Sequence, residues 1–169
     1  MEFRPKQPTG KGPAELFTGD VWIESNAQGE EPSRVRVNLV RFAPGARTAW
    51  HSHALGQTLY VTDGVGRVQS RGEEIAEIRP GDIIFTPSDE WHWHGAAPDN
   101  FMAHVSITEG VGDNPKPEAD WGAHVTDSEY RAVAEGGADP IASDGKVAKR
   151  LTLPPEVTSA DLLDRDDRV

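Results

Sequence analysis

An all-β chain of roughly eight to ten short strands, closed into a single barrel or sandwich, is expected from this sequence. Short segments that alternate with period two carry the expectation, together with turn residues at regular spacing between them, supplied by 17 Gly and 13 Pro among 169 residues. An apolar fraction of 36% suits that pattern better than a helical bundle, and the length fits one domain with a real core.

In chain order, residues 1–15 are polar and rich in Pro and Gly, and read as an arm or an edge strand. The barrel is assigned to residues 16–125. Val21-Trp22-Ile23 forms a first short strand, and residues 24–33 are a loop by composition. Arg34 to Phe42 sets Val35, Val37, Leu39 and Arg41 against Arg36, Asn38, Val40 and Phe42, a strand with both faces partly apolar, which Pro44-Gly45 breaks. Thr48 to His53 and Gln57 to Thr62 follow, and Asp63-Gly64 is a turn. Arg67 to Ser70 and Glu74 to Ile78 make a hairpin around Arg71-Gly72, ended by Pro80-Gly81-Asp82. Ile83 to Thr86, Trp91 to Ala96 and Phe101 to Thr108 complete the strands.

Beyond Gly110 the texture changes. Residues 112–117 are a loop, and Trp121 to Val125 is a short apolar segment expected to pack on the outside of the barrel. Thr126 and Glu129 have the spacing of a capping box, which starts a helix running to about Ala134 and stopped by Gly136-Gly137, within a segment 126–136. Residues 137–169 are thin in large apolar residues and end acidic, and read as a flexible or loosely docked extension.

Composition removes several function classes. Without cysteine there is no thiolate site and no disulfide framework, so any metal must be held by nitrogen and oxygen. A net charge of -11 and a pI near 4.9 argue against a nucleic-acid or anionic-membrane partner, because both need clustered Lys and Arg. The first residues carry no apolar signal segment and no run approaches membrane-spanning length, so a cytoplasmic location is expected.

The chemistry concentrates in the histidines. On a strand, residues two apart share a face, so His51 and His53 project together, as do His92 and His94. Five of the six histidines, at 51, 53, 92, 94 and 104, fall where strand phase could turn them into one cavity; His124 reads as structural or exposed. Imidazoles with the Gln57 carboxamide suit a divalent first-row metal and leave its charge uncompensated, which favours anions and polarises oxygen. Four such ligands leave two octahedral positions open. Trp50, Trp91 and Trp93 are expected to pack in the core or at an interface.

Gly45-x5-His51-x-His53-x3-Gln57-x6-Gly64 resembles the first motif of the cupin superfamily, and Gly81-x5-Pro87-x4-His92 resembles the second. The resemblance covers the central third of the chain and implies a jelly-roll β-barrel. Two positions depart from the pattern: Gln57 stands where the family usually has glutamate, and Asp89 where the second motif usually has glycine. Gln57, the run Trp91-His92-Trp93-His94-Gly95 and His104 are together similar to small manganese-containing bacterial cupins that act as hydroxynitrile lyases. That likeness implies metal ligation by His51, His53, Gln57 and His92, catalytic roles for His94 and His104, and manganese as the metal, with iron, nickel, cobalt or zinc as alternatives.

If His104 faces inward, period two places Met102, Ser106 and Thr108 on its wall, with Asn38, Val40 and Phe42 on the neighbouring strand. Such a pocket suits a small aryl or alkyl carbonyl compound. Two other classes stay open: an iron-dependent cupin dioxygenase, and a non-enzymatic cupin that binds a metal or small ligand. A homodimer or homotetramer is expected, with Trp22, Trp121 and Val125 available to cover exposed faces.

Overall fold

The computed structural model describes residues 1–132 except positions 2, 4 and 114. The expected stop at Gly136-Gly137 and the extension 137–169 lie outside the described residues; the helix expected to reach about Ala134 ends earlier, with Ala132 as its C-cap. Among the described residues, twelve strands and one helix follow in order: β1 Gly10–Lys11, β2 Phe17–Thr18, β3 Val21–Gln28, β4 Val35–Phe42, β5 Arg47–His53, β6 Gln57–Gly64, β7 Gly66–Ser70, β8 Ala76–Ile78, β9 Ile83–Thr86, β10 His92–Ala96, β11 Met102–Glu109, β12 Ala119–His124 and α1 Asp127–Arg131. One sheet runs β1-β3-β4-β11-β6-β9 and the other β12-β5-β10-β7-β8, with β2 paired to β5.

Burial follows the alternation in the sequence. In β6, Gln57, Leu59 and Val61 are buried while Tyr60 and Thr62 face water; in β11, Met102, His104 and Ser106 are buried. Antiparallel register sets Met102 opposite Phe42, His104 opposite Val40 and Ser106 opposite Asn38, and directly opposite residues share a face. The inward residues of β4, β6 and β11 therefore build one continuous wall. Val21, Phe42, Val61, Val68, Ile78, Ala96 and Met102 close one end of the barrel as its apolar core. Gly64, at φ 76°, tightens that end, since a Cβ there would collide with the Phe101 carbonyl.

A second core lies on the far side of the β5–β10 sheet. Trp93 alternates with His92 and His94 and so points away from them, packing with Trp50, Val125 and Tyr130. Arg47 is buried there, donating to the Val125 carbonyl and to Asp127, and the Tyr130 hydroxyl donates to Ala96 O at 2.6 Å. These bonds dock α1. Its capping box is present, with Glu129 N–H donating to Thr126 Oγ1 and Thr126 N–H donating to Glu129 Oε2.

Three expectations are corrected. The stretch taken as a loop from residue 24 continues β3 to Gln28, paired to Leu39 through Arg36; a strand this close to the sheet edge can be polar on its solvent face. Trp121 does not pack on the outside: β12 pairs with β5, setting Trp121 opposite His51. Val125 is buried within the chain and covers no outer surface. The outward face of the first sheet instead exposes Trp22, Tyr60, Ile83, Phe85 and Ile107.

Candidate metal centre and cavity

Strands β5 and β10 lie side by side with His92 opposite His51, so the two i, i+2 histidine pairs turn into the barrel together. Ring centroids are 4.2 Å apart for His51 and His92, and 5.2 Å for His51 and His53. The ligand atoms of His51, His53 and His92 lie within 4.8 Å of one another, so these three could hold one metal ion.

Backbone carbonyls fix the orientation of each ring. His51 Nδ1 lies 3.0 Å from Ala49 O and His92 Nδ1 lies 3.0 Å from Glu90 O. A carbonyl only accepts, so both Nδ1 atoms carry the proton and both Nε2 atoms present lone pairs. The backbone of Glu118 holds the His53 ring, whose Nε2 is buried without a hydrogen-bond partner among the described residues. Gln57 Nε2 donates to Ser106 Oγ at 3.0 Å, which turns Oε1 towards the histidines, 3.0 Å from His92 Nε2. Two acceptors facing each other repel unless a cation lies between them. Metal–donor bonds of about 2.1 Å at right angles place adjacent donors about 3.0 Å apart. The donor set therefore fits a divalent ion with nitrogen and oxygen ligands.

The turn before β10 keeps the geometry that its motif demands of glycine. Asp89 takes φ 63°, a left-handed conformation that aspartate tolerates better than most residues, and its N–H donates to His53 O at 2.9 Å. The departure from the cupin pattern thus leaves the turn intact and ties it to β5.

Beside the triad sits a second pair. His104 Nε2 is 3.2 Å from His94 Nδ1, the rings nearly perpendicular at 4.8 Å, with Phe42 against both. His94 Nε2 is buried and has no partner among the described residues. Burial is the largest cause that lowers the pKa of every histidine here. It holds His51 and His94 well below 6.5, lowers His92, and brings His53 and His104 to about 4. Nearby imidazoles push the same way at His51, His53 and His94. All five rings are neutral at pH 7. His124 stays apart, exposed and bonded to Thr18 Oγ1 at 3.1 Å.

The rings of His51, His53, His94 and His104 open onto a cavity of about 150 Å³. Four of the six expected pocket residues line it: Asn38, Val40, Ser106 and Thr108. Phe42 and Met102 do not; both are buried in the closed end of the barrel, because strand phase fixes the wall but not the depth along it. Phe17, Ile23, Thr48 and Trp121 complete the lining. Trp121 is stacked on His51 at 4.6 Å and 20°, and meets Phe17 edge-on at 6.0 Å. Among the described residues, no charged side chain lines the cavity. A larger concavity of about 330 Å³ beside α1 holds no histidine, and its Arg47 is already bonded to Val125 O and Asp127.

A barrel of two antiparallel sheets with an inward histidine cluster is the arrangement of a cupin, and the chain belongs to that family: residues 38–107 match the Cupin domain. Over 125 residues it is 49% identical to an (R)-mandelonitrile lyase of Granulicella tundricola, a match covering 74% of this chain and 93% of that protein. A cupin-like protein from Thermotoga maritima superposes with a TM-score of 0.68 at 41% identity, over 77% of this chain and 96% of that one. A polyketide cyclase from Streptomyces resistomycificus shares the fold alone, with a TM-score of 0.58 at 16% identity over 77% of this chain and 90% of that one.

Proposed function

We propose that the chain is a metal-dependent hydroxynitrile lyase-like enzyme, which cleaves a cyanohydrin to a carbonyl compound and hydrogen cyanide and catalyses the reverse addition. The observation that carries this reading is the buried Nε2 of His94, without a partner among the described residues, a neutral base beside three converging imidazoles in a cavity that no described carboxylate lines. The mandelonitrile lyase at 49% identity supports it. Held by His51, His53, Gln57 and His92, a divalent ion would supply Lewis acidity towards a hydroxyl oxygen and a positive field for cyanide, manganese foremost and iron, nickel, cobalt or zinc as alternatives.

The residues of the chain manage the proton. For His94 Nε2 to act as the base, its ring carries its proton on Nδ1, which in that tautomer donates to His104 Nε2 at 3.2 Å and so holds the ring. His94 Nε2 then takes the hydroxyl proton as the carbon–carbon bond breaks, the carbonyl forms and the electron pair leaves on cyanide. Burial makes the resulting imidazolium a strong acid, which returns the proton to cyanide and restores the neutral pair. The apolar core below and the closed wall of β4, β6 and β11 keep water from the far side of the site. Release of benzaldehyde from mandelonitrile by manganese-loaded protein, measured against heat-inactivated protein, tests the reading. No release above that control would refute it.

A further inference from the structure

The three histidines of the triad differ in how their rings are held. His51 and His92 donate to carbonyls two residues back in the chain, Ala49 O and Glu90 O, so their orientation is settled locally. His53 depends instead on the backbone of Glu118, which reaches it only because β12 pairs with β5, Ala119 opposite His53. The same Glu118 carbonyl accepts from Ala54 N–H at 3.2 Å. The Glu118 carboxylate is held by a different sheet, accepting from Arg36 Nη2. Arg36 and His53 both lie at the open end of the barrel, since β4 runs from Val35 towards Phe42 in the closed core and β5 runs away from Ala46, in that same core, to His53. We infer that Arg36 is a positioning residue for the metal centre: its ion pair with Glu118, bridging the two sheets, keeps the His53 ring in ligating orientation and so strengthens the binding of a divalent ion. This rests on the metal site of the reading above and not on cyanohydrin cleavage.

The contacts around His53 converge on this assignment. Its main chain is tied to the same segment as its ring: His53 O accepts from Asp89 N–H at 2.9 Å, and the Asp89 carboxylate is bonded to Lys116 Nζ at 2.7 Å. Arg36 is anchored within the first sheet, with Gln28 of β3 opposite it on one side and Thr108 of β11 on the other. Gly110 packs close against the ion pair, for a Cβ there would stand 3.2 Å from Glu118 Oε1 and 3.3 Å from Arg36 Nη2. His53 is also the least buried of the triad, with the most room to turn. Its Nε2 has no partner among the described residues, so the hold on the other side of the ring sets where that lone pair points. Because the group that holds the ring is main chain, changing the Glu118 side chain leaves the acceptor in place and alters only where it sits.

The test titrates manganese into the metal-free full chain, as wild type, Arg36→Met, Glu118→Gln, the double variant and Arg36→Lys, reading the free ion by electron paramagnetic resonance. Partners that orient a metal-binding histidine typically contribute about ten- to a hundredfold in affinity. Each of Arg36→Met and Glu118→Gln is expected to weaken manganese binding about tenfold, the double variant no more than the weaker single, and Arg36→Lys to restore most of the loss. Heteronuclear NMR of the His53 ring nitrogens in metal-free protein should show the proton on Nδ1 in wild type and a mixture of tautomers in Arg36→Met. An ion pair this exposed contributes little to global stability, so the metal-free melting temperature should stay near that of wild type. Glu118→Gln, nearly isosteric, decides the matter should Arg36→Met fail to fold. Single variants that bind manganese as tightly as wild type, losses that multiply in the double variant, or a tautomer unchanged in Arg36→Met would overturn the inference and leave the metal centre standing. Wild-type protein that binds no manganese or other divalent first-row ion would overturn both.

Discussion

The side-chain oxygen of Gln57 lies 3.0 Å from Nε2 of His92, and because the His92 Nδ1 proton is committed to the Glu90 carbonyl, the two atoms meet as acceptors. In the arrangement observed, the Gln57 amide nitrogen donates to Ser106, which leaves its oxygen on the histidine side. A cation resolves it. Purified protein is therefore expected to carry close to one divalent first-row ion per chain, and His51→Ala and His92→Ala to lose most of it, by elemental analysis. Metal at about a hundredfold its dissociation constant stabilises the fold by about 2.7 kcal/mol, so chelation should lower the melting temperature. Metal-free wild-type protein, or alanine variants that retain the ion fully, would contradict the ligand set.

Acid should destabilise the metal-free protein in a defined window. His53 and His104 fall from 6.5 to about 4 on folding, and His51, His92 and His94 are also lowered, so the unfolded chain binds more protons once pH drops below 6.5. Their stabilising contribution is complete above pH 6.5 and is lost progressively as pH falls towards 4. For His104 alone, nearly wholly buried, the step corresponds to roughly 3 kcal/mol. Urea unfolding of metal-free protein at pH 7.5 and pH 5 measures it, and His104→Phe should flatten the dependence. Equal stability at the two pH values would count against buried neutral imidazoles.

Replacing Gln57 by glutamate separates holding the metal from activating it. The carboxylate supplies an oxygen donor in the same place but offsets part of the ion's charge, and it has no N–H to donate to Ser106. Gln57→Glu is expected to keep the metal and to slow cyanohydrin cleavage by roughly tenfold or more, about 1.4 kcal/mol in barrier. Full activity at matched metal content would show that the neutral ligand set is not what drives the chemistry.

Much of this site was legible in the chain because it depends on local phase. The i, i+2 spacing of His51 with His53 and of His92 with His94 determines which way each pair faces once β5 and β10 form, and the same phase carried Asn38, Val40, Ser106 and Thr108 to the cavity. Depth along a strand is not encoded that way, and so Phe42 and Met102 share the wall but lie in the core. Trp121 and Phe17 were beyond local reasoning, since their place depends on which edge of β5 the strands β2 and β12 join. For β3, the polar solvent face of residues 24–28 resembles a loop in composition, and only the pairing with β4 reveals a strand.

The exposed row Tyr60, Ile83, Phe85 and Ile107 bears on assembly. Register sets Tyr60 opposite Ile83, and Thr58 opposite both Phe85 and Ile107, so these side chains are neighbours on the outward face of one sheet. A second copy of this chain is the partner expected to cover them, giving a dimer or a dimer of dimers by light scattering, and Phe85→Lys with Ile107→Glu should shift the particle to monomer. A wild-type monomer at micromolar concentration would contradict this.

The His94–His104 pair is the part of the account on which the proposed chemistry depends most. Removing a positioned general base typically costs about a hundred- to ten-thousand-fold in rate, whereas removing a metal ligand costs the metal as well. The most direct measurement is mandelonitrile cleavage, followed by benzaldehyde absorbance, with wild-type, His94→Ala and His104→Ala proteins at equal metal content. Wild type is expected to cleave rapidly and His94→Ala to lose about a hundredfold or more, with His104→Ala also strongly impaired because His94 loses the partner that orients it. Cleavage by both variants at the wild-type rate would contradict it.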